Sequence, residues 1–104
     1  MSSLYQAYLK ALDLAINRDL RVDTFVIKKT VNYIQNALDS MAEVDQQTLK
    51  DLHQKIIDYL DSEELVEIRM DMMFGETEYL KKNIFDINIQ KISSLKKRIE
   101  ELIT

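Results

Sequence analysis

The chain has 104 residues and a formal net charge of −4, with 46% apolar and 31% charged residues, which is the composition of a folded globular domain. The absence of cysteine excludes disulfides and zinc–thiolate sites, and a single glycine with no proline disfavours β-turns and long loops. No signal-peptide pattern and no uncharged apolar run of about 20 residues is present, so we expect one cytoplasmic, all-α domain over residues 1–104 that does not enter a membrane.

Two helices are predicted in the N-terminal half of the chain. Ser3 and Gln6 have the spacing of a capping box, which predicts a first helix from Leu4 to about Asn17. Asp23 is expected to cap a second helix. The apolar residues of that helix repeat at alternating steps of four and three, which is the strongest core pattern in the chain. They are Ile27, Val31, Ile34, Leu38 and Met41.

Two further helices are predicted from residue 45 onward. Asp45 and Thr48 have the spacing of a helix start. The amphipathic pattern that follows consists of Leu49, Leu52, Ile56, Tyr59 and Leu60. Asp61 precedes the carboxylate of Glu64 by three positions, and we expect Asp61 to cap a fourth helix that runs from Ser62 to Phe74.

The region around Gly75 decides whether the chain ends in two helices or in one. We predict a break, in which Gly75 adopts the left-handed backbone conformation and a last helix follows from about Thr77 to Ile103. The alternative is a continuous helix over residues 62–103, since a glycine inside a helix costs only about 1 kcal/mol relative to alanine. The predicted fold is therefore an all-α, antiparallel bundle of four to five helices with a long C-terminal helix.

Charge is unevenly distributed along the chain. Residues 45–78 carry ten acids against three bases, whereas residues 79–104 carry six bases against three acids. These two stretches can lie beside each other in one fold, or they can join two copies of the chain.

No residues have the pattern of a catalytic or metal site. The single histidine, His53, lies at the edge of the apolar pattern of the third helix, which is typical of a boundary residue. No second histidine and no Glu-x-x-His spacing is available for a metal. The carboxylates of the fourth helix lie on one side, as on any solvated helix face. We therefore predict no enzyme activity, no metal and no cofactor.

The fourth helix is more apolar than a helix packed on one core requires. Its apolar residues cover about two-thirds of the circumference, whereas one packed face needs an arc of about 100°. They are Leu65, Val66, Ile68, Met70, Met72, Met73 and Phe74. The helix either lies centrally within its own bundle, or it packs one face inward and presents the other to a second protein.

Arg69 lies inside this apolar arc, where an unpaired cation would be costly. It must reach the edge of the arc, pair with an acid, or cross an interface. The predicted partner-binding residues of the fourth helix are therefore Arg69, Met70, Met73 and Phe74.

The last helix gives a second indication of association. Its two heptad positions are occupied by Phe85, Ile92 and Ile99, and by Asn88, Leu95 and Leu102. An asparagine at such a position fixes the register of paired helices. A helix of about 27 residues is about 40 Å long, longer than the helices before it, so we expect an overhanging apolar end. The predicted partner-binding residues of this helix are Phe85, Ile92, Leu95 and Ile99.

These features predict a small acidic protein–protein interaction module that acts stoichiometrically on a larger protein target, as an adaptor, inhibitor or immunity-type regulator, and that forms a homodimer. The apolar patch would supply binding free energy, and the acidic stretch from Asp58 to Glu78 would select a partner with a basic surface. One alternative is a structural or assembly subunit that oligomerises through the C-terminal helix. A second alternative is weak nucleic-acid binding through the basic face of residues 81–98, although an acidic chain with short basic clusters disfavours it.

Overall fold

A computed structural model describes residues 3–40, 44–75 and 79–103, with side chains from residue 6 onward. The predicted all-α fold with a long last helix is confirmed. Met41 and Thr77, which were predicted to belong to the second and last helices, lie outside the described residues. The described helices are α1 (Ser3–Ile16), α2 (Phe25–Asp39), α3 (Gln46–Leu60), α4 (Glu63–Phe74) and α5 (Tyr79–Leu102).

The helix starts follow from local hydrogen bonds. The Oδ1 atom of Asp45 accepts hydrogen bonds from both the N–H and the hydroxyl of Thr48, each at 2.7 Å, so this predicted cap is confirmed. At α2, Oδ1 of Asp23 accepts from the Val26 N–H at 3.4 Å, one residue before the N-cap position. The predicted capping box at the start of α1 depends on the Ser3 side chain, which lies outside the described side chains.

The cap of α4 is Ser62, so the prediction that Asp61 caps this helix is wrong. Ser62 has extended backbone angles, and its Oγ accepts a hydrogen bond from the Leu65 N–H at 3.3 Å. Asp61 instead ends α3, where its N–H donates to the Ile57 carbonyl at 3.0 Å. Only Asp61 and Ser62 lie between α3 and α4. Asp61 therefore ends α3, and Ser62 caps α4.

Four of the helices surround a common core. The principal contacts are α1 with α2, α2 with α5, α5 with α3, and α3 with α1, so that α2 and α3 occupy opposite corners. The predicted core pattern of α2 is confirmed for its described members Ile27, Val31, Ile34 and Leu38. In α3 the first three residues of the pattern are buried, and Tyr59 and Leu60 are half-buried.

The directions of the helices follow from contacts at their ends. Gln46, at the start of α3, donates a hydrogen bond to the Leu102 carbonyl at the end of α5, so these helices are antiparallel. Tyr8 of α1 packs on Tyr33 of α2 near the middle of both helices, with ring centroids 5.2 Å apart. The neighbouring helices α2 and α5 run in the same direction, since α5 meets the start of α2 near Asn88 and the end of α2 near Arg98.

The break after α4 is confirmed, and the alternative of a continuous helix is wrong. Gly75 has φ −95° and ψ 171°, which is extended backbone, so the predicted left-handed conformation is also wrong. Its N–H donates to the Asp71 carbonyl at 2.8 Å. A Cβ atom at this position would lie 2.5 Å from that carbonyl oxygen. The glycine is therefore required by a close approach of two backbone segments and not by a positive φ.

The last helix presents its heptad residues to the interior of its own bundle. Phe85, Ile92, Leu95 and Ile99 are each at most 4% exposed. The structure therefore places these four predicted partner-binding residues in the core of the folded chain, where α5 packs on α2 and α3. At the C-terminal end, Leu102 and Ile103 pack against the core. The exposed apolar end of α5 is its beginning, at Tyr79 and Leu80.

Candidate functional site: the outer face of α4

α4 is attached to the bundle by a narrow face. The principal helix–helix contacts do not involve α4, and its only buried residues are Leu65 and Met72. Ile68, half-buried, lies between them on the same face. α4 is therefore a peripheral helix that connects α3 to α5, and most of its circumference faces outward.

The opposite side of α4 carries a second apolar face. This face consists of four exposed residues, which we call the outer stripe: Val66, Met70, Met73 and Phe74. Met70 is 54% exposed, Met73 is 73% exposed and Phe74 is 79% exposed. At 100° per residue the stripe covers an arc of about 100°, which is the width of a face that packs on a neighbour. Of the two arrangements expected from the sequence, the structure has the one with an inward and an outward apolar face.

The outer stripe is bordered by opposite charges. Glu67 lies on one side of it and Arg69 on the other, and both are exposed. Arg69 is exposed to solvent, and within the described residues it forms no ion pair. On the Arg69 side, α4 and the first turns of α5 enclose a groove of about 350 Å³. Its lining residues are Arg69, Met72, Met73, Lys82, Phe85, Asp86 and Ile89.

The electrostatic environments of Tyr59 and Arg21 show which parts of the bundle lie near α4. Tyr59, at the end of α3, is half-buried; burial and the nearby Glu64 carboxylate raise the pKa of Tyr59 to about 12, against the opposing influence of Arg69. In the loop after α1, Arg21 pairs with Asp19 at 2.9 Å. The Asp19 carboxylate, and more weakly Asp71 of α4, raise the pKa of Arg21. α4 therefore lies over the end of the bundle formed by the α1–α2 loop and the end of α3.

Asn88 anchors that loop. Its side chain is fully buried, and Nδ2 donates hydrogen bonds to the carbonyls of Leu20 at 2.7 Å and of Asp23 at 3.0 Å. The expectation that Asn88 fixes the register of paired chains is wrong, because its donors are used within the chain. Oδ1 of Asn88 is buried and has no hydrogen-bond partner among the described residues.

The predicted site residues thus separate into two groups. Arg69, Met70, Met73 and Phe74 share one exposed face, whereas the four residues of α5 belong to the core. Sequence reasoning missed Val66 as a member of the stripe. It also missed Tyr79, which is 80% exposed and lies one turn before Lys82 on the groove side of α5. The sequence does indicate this position of Tyr79. It precedes Lys82 by three residues and Asp86 by seven, a spacing that places all three on one side of a helix.

Several polar residues of α3 and α5 form surface pairs. Nε2 of His53 lies 3.1 Å from Glu100, which also pairs with Lys96 at 3.3 Å, and these contacts lower the pKa of Glu100, the contact with His53 most. His53 is therefore a boundary residue, as expected. Arg98 pairs with Asp39 and Glu101, so part of the basic face of α5 is already paired within the chain.

The described residues contain neither a cluster of metal ligands nor a membrane-spanning helix. No group of three or more histidines, cysteines or acids is arranged to hold a metal ion. In the same part of the chain, every helix is too short or too polar to cross a membrane.

Comparisons with known proteins give no relative for this chain. No protein-family model matches it, and neither the curated proteins nor the solved structures yield a match.

Proposed function

We propose that this chain is a small cytoplasmic protein–protein interaction module without enzyme activity, which binds a larger protein target stoichiometrically through the outer stripe of α4. As an adaptor, inhibitor or immunity-type regulator it would act by occupying a surface of that target. The observation that carries the proposal is the second apolar face of α4, whose members are up to 79% exposed.

Contact between apolar side chains and water is unfavourable, so burial of the outer stripe against a partner would stabilise the complex. Burying a large apolar side chain at the centre of an interface contributes about 1.5–3 kcal/mol, so Met73 and Phe74, the two most exposed residues of the stripe, can contribute most. Methionine and phenylalanine are enriched at such centres, and charged residues are found around them. The unbranched methionines allow the stripe to adapt to the shape of its partner.

The charges on the two borders specify the partner further. The carboxylate of Glu67 favours cationic groups, as expected from the acidic composition of this part of the chain. On the groove side, Arg69 and Lys82 favour anionic groups. The matching surface is therefore an apolar ridge with basic residues along one side and acidic residues along the other.

The experiment is affinity capture with the tagged full chain, compared with its Met73→Asp variant and with a matched control, Leu14→Asp. Leu14 is also an exposed apolar residue, at 60%, but it lies on α1. We expect Met73→Asp to remove the captured target and Leu14→Asp to retain it. Capture that is equal for all three proteins would contradict the proposal.

The assembly-subunit alternative has less support, because the heptad residues through which it would oligomerise are buried in the chain's own core. The nucleic-acid alternative depends on a basic face of which Lys96 and Arg98 are paired with carboxylates.

A further inference from the structure

The outer stripe of α4 is complementary to itself in one orientation. Glu67 borders it on one side and Arg69 on the other, and the two residues are about 3 Å apart along the helix axis. The Arg69 border also carries Lys82, with Asp86 as its one acid, across the groove. The two borders therefore have opposite charge at the same height on the helix.

Symmetry determines which orientation of two paired α4 helices brings these opposite charges together. A two-fold axis parallel to two paired α4 helices places the Arg69 border of one copy against the Glu67 border of the other, on both sides of the contact. A two-fold axis that makes the helices antiparallel places acid against acid and cation against cation. Opposite charges at flanking positions set the orientation of paired helices, so Glu67 and Arg69 favour the parallel arrangement, against the approach of the two Glu63 carboxylates at the start of the stripe.

The exposed area is sufficient for a weak dimer. The outer stripe and Tyr79 are between 48% and 80% exposed. At roughly 200 Å² for each large side chain, these five residues expose on the order of 600 Å², the upper limit for the largest patch of a typical monomer. Two copies would bury at most about 1,200 Å² together, if all of this area were covered, which is the lower end of the range for specific interfaces.

We propose that α4 pairs with α4 of a second copy of this chain, with the two helices in the same direction and their outer stripes in contact. This inference rests on the proposed function, because it names an occupant of the same docking surface. The small area makes the dimer reversible, with a dissociation constant on the order of micromolar. A larger target that docks on the stripe therefore competes with the second copy.

Sedimentation velocity of the full chain between about 1 and 500 μM tests the pairing. We expect a dimer fraction that rises with concentration. Met73→Asp should weaken the dimer at least about tenfold, since it places a charge in the apolar contact. Arg69→Glu should weaken it up to about fivefold by making both borders acidic, and Leu14→Asp should leave it unchanged. A chain that is monomeric throughout, or a dimer that is insensitive to Met73→Asp, would overturn the proposal.

Cross-linking tests the direction of the helices, because the chain contains no cysteine. In the parallel pair the two copies of position 73 lie at the same height along the axis, whereas an antiparallel pair centred on the middle of α4 separates them by on the order of 13 Å. A disulfide requires Cα atoms within about 7 Å. Met73→Cys treated with oxidised glutathione should form a covalent dimer, and Leu14→Cys should not. A non-covalent dimer whose Met73→Cys variant forms no more cross-link than Leu14→Cys would overturn the parallel arrangement.

The outcomes separate this inference from the proposed function. If the chain is monomeric and Met73→Asp still abolishes capture of a target, self-pairing is wrong and the docking function stands. If the chain dimerises through α4 and Met73→Asp retains all captured proteins, self-pairing stands and the docking function is wrong.

Discussion

Asn88→Leu tests how far one buried amide holds the end of the bundle together. The Asn88 side chain is fully buried and donates two hydrogen bonds to the carbonyls of Leu20 and Asp23, in the loop on which α4 lies. Leucine has no donor and a larger side chain than asparagine. The substitution therefore removes both hydrogen bonds and also crowds the packing around position 88.

The magnitude follows from what each atom loses or gains. Two hydrogen bonds contribute about 1 kcal/mol each, and a buried carbonyl left without a donor costs about 1–3 kcal/mol. Removal of the unpaired Oδ1 of Asn88 offsets part of this loss. We expect Asn88→Leu to lower the free energy of unfolding by about 2–4 kcal/mol, a large part of the 5–15 kcal/mol typical of a domain.

Asn88→Asp adds a dependence on pH to the same test. The introduced carboxylate would face two carbonyl oxygens without access to water, which raises its pKa in the folded state above the unfolded value of about 3.9. A raised folded pKa means that the variant is most stable below the unfolded pKa and loses stability as pH rises through the folded pKa. We therefore expect a loss of at least about 3 kcal/mol at pH 7 that becomes smaller on acidification.

Urea unfolding followed by far-ultraviolet circular dichroism measures these changes. The matched control is Asn83→Leu, since Asn83 is an exposed asparagine on the same helix. The control should change the free energy of unfolding by less than about 0.5 kcal/mol. If Asn88→Leu were as stable as the control, the hydrogen bonds of Asn88 would not hold the loop, and the reasoning would be refuted.

Three other predictions concern single sites. Gly75→Ala should lower the free energy of unfolding by about 1–3 kcal/mol in urea unfolding, because its Cβ would lie 2.5 Å from the Asp71 carbonyl oxygen; no change relative to Ser94→Ala would contradict the close approach. Tyr59 should ionise near pH 12 in a spectrophotometric titration, in a step that Tyr59→Phe removes. Since this pKa is raised from an unfolded value of about 10, the stabilisation is complete below pH 10 and is lost as pH rises through 12; ionisation near pH 10 would mean that Tyr59 is solvated. Asp45→Ala should lower the melting temperature at pH 7, because the hydrogen bonds from Thr48 lower the pKa of Asp45. That stabilisation is present above the unfolded pKa of about 3.9 and is lost as pH falls through the folded pKa, so wild type and variant should converge in acid, and a constant difference would contradict it.

Local periodicity was sufficient to predict the elements and much of the core. The alternation of four and three residues in α2 identifies Ile27, Val31, Ile34 and Leu38 because only one face of a helix can be buried against one core. The Asp45 cap was predictable for a similar reason, since both partners lie within one helical turn.

Features that depend on tertiary contacts were not predictable from local patterns. The heptad pattern of α5 is the same whether its partners are helices of the same chain or of another, so Phe85 and Ile92 could not be assigned to the interior. The role of Asn88 depends on carbonyls 65 and 68 residues away in the chain. At Gly75 the left-handed conformation was expected from its position after a helix, and the actual constraint is an oxygen atom of the preceding turn.

The small number of buried side chains on α4 has a consequence for hydrogen exchange. Only Leu65 and Met72 must leave the core for this helix to open, whereas opening of α2 or α5 exposes five or six buried residues. Amide protons of α4 should therefore exchange through local opening, at a lower free energy than that of global unfolding. Any molecule that covers the outer stripe should slow exchange in α4 more than elsewhere. The exchange rate of the α4 amides therefore measures whether the stripe is occupied.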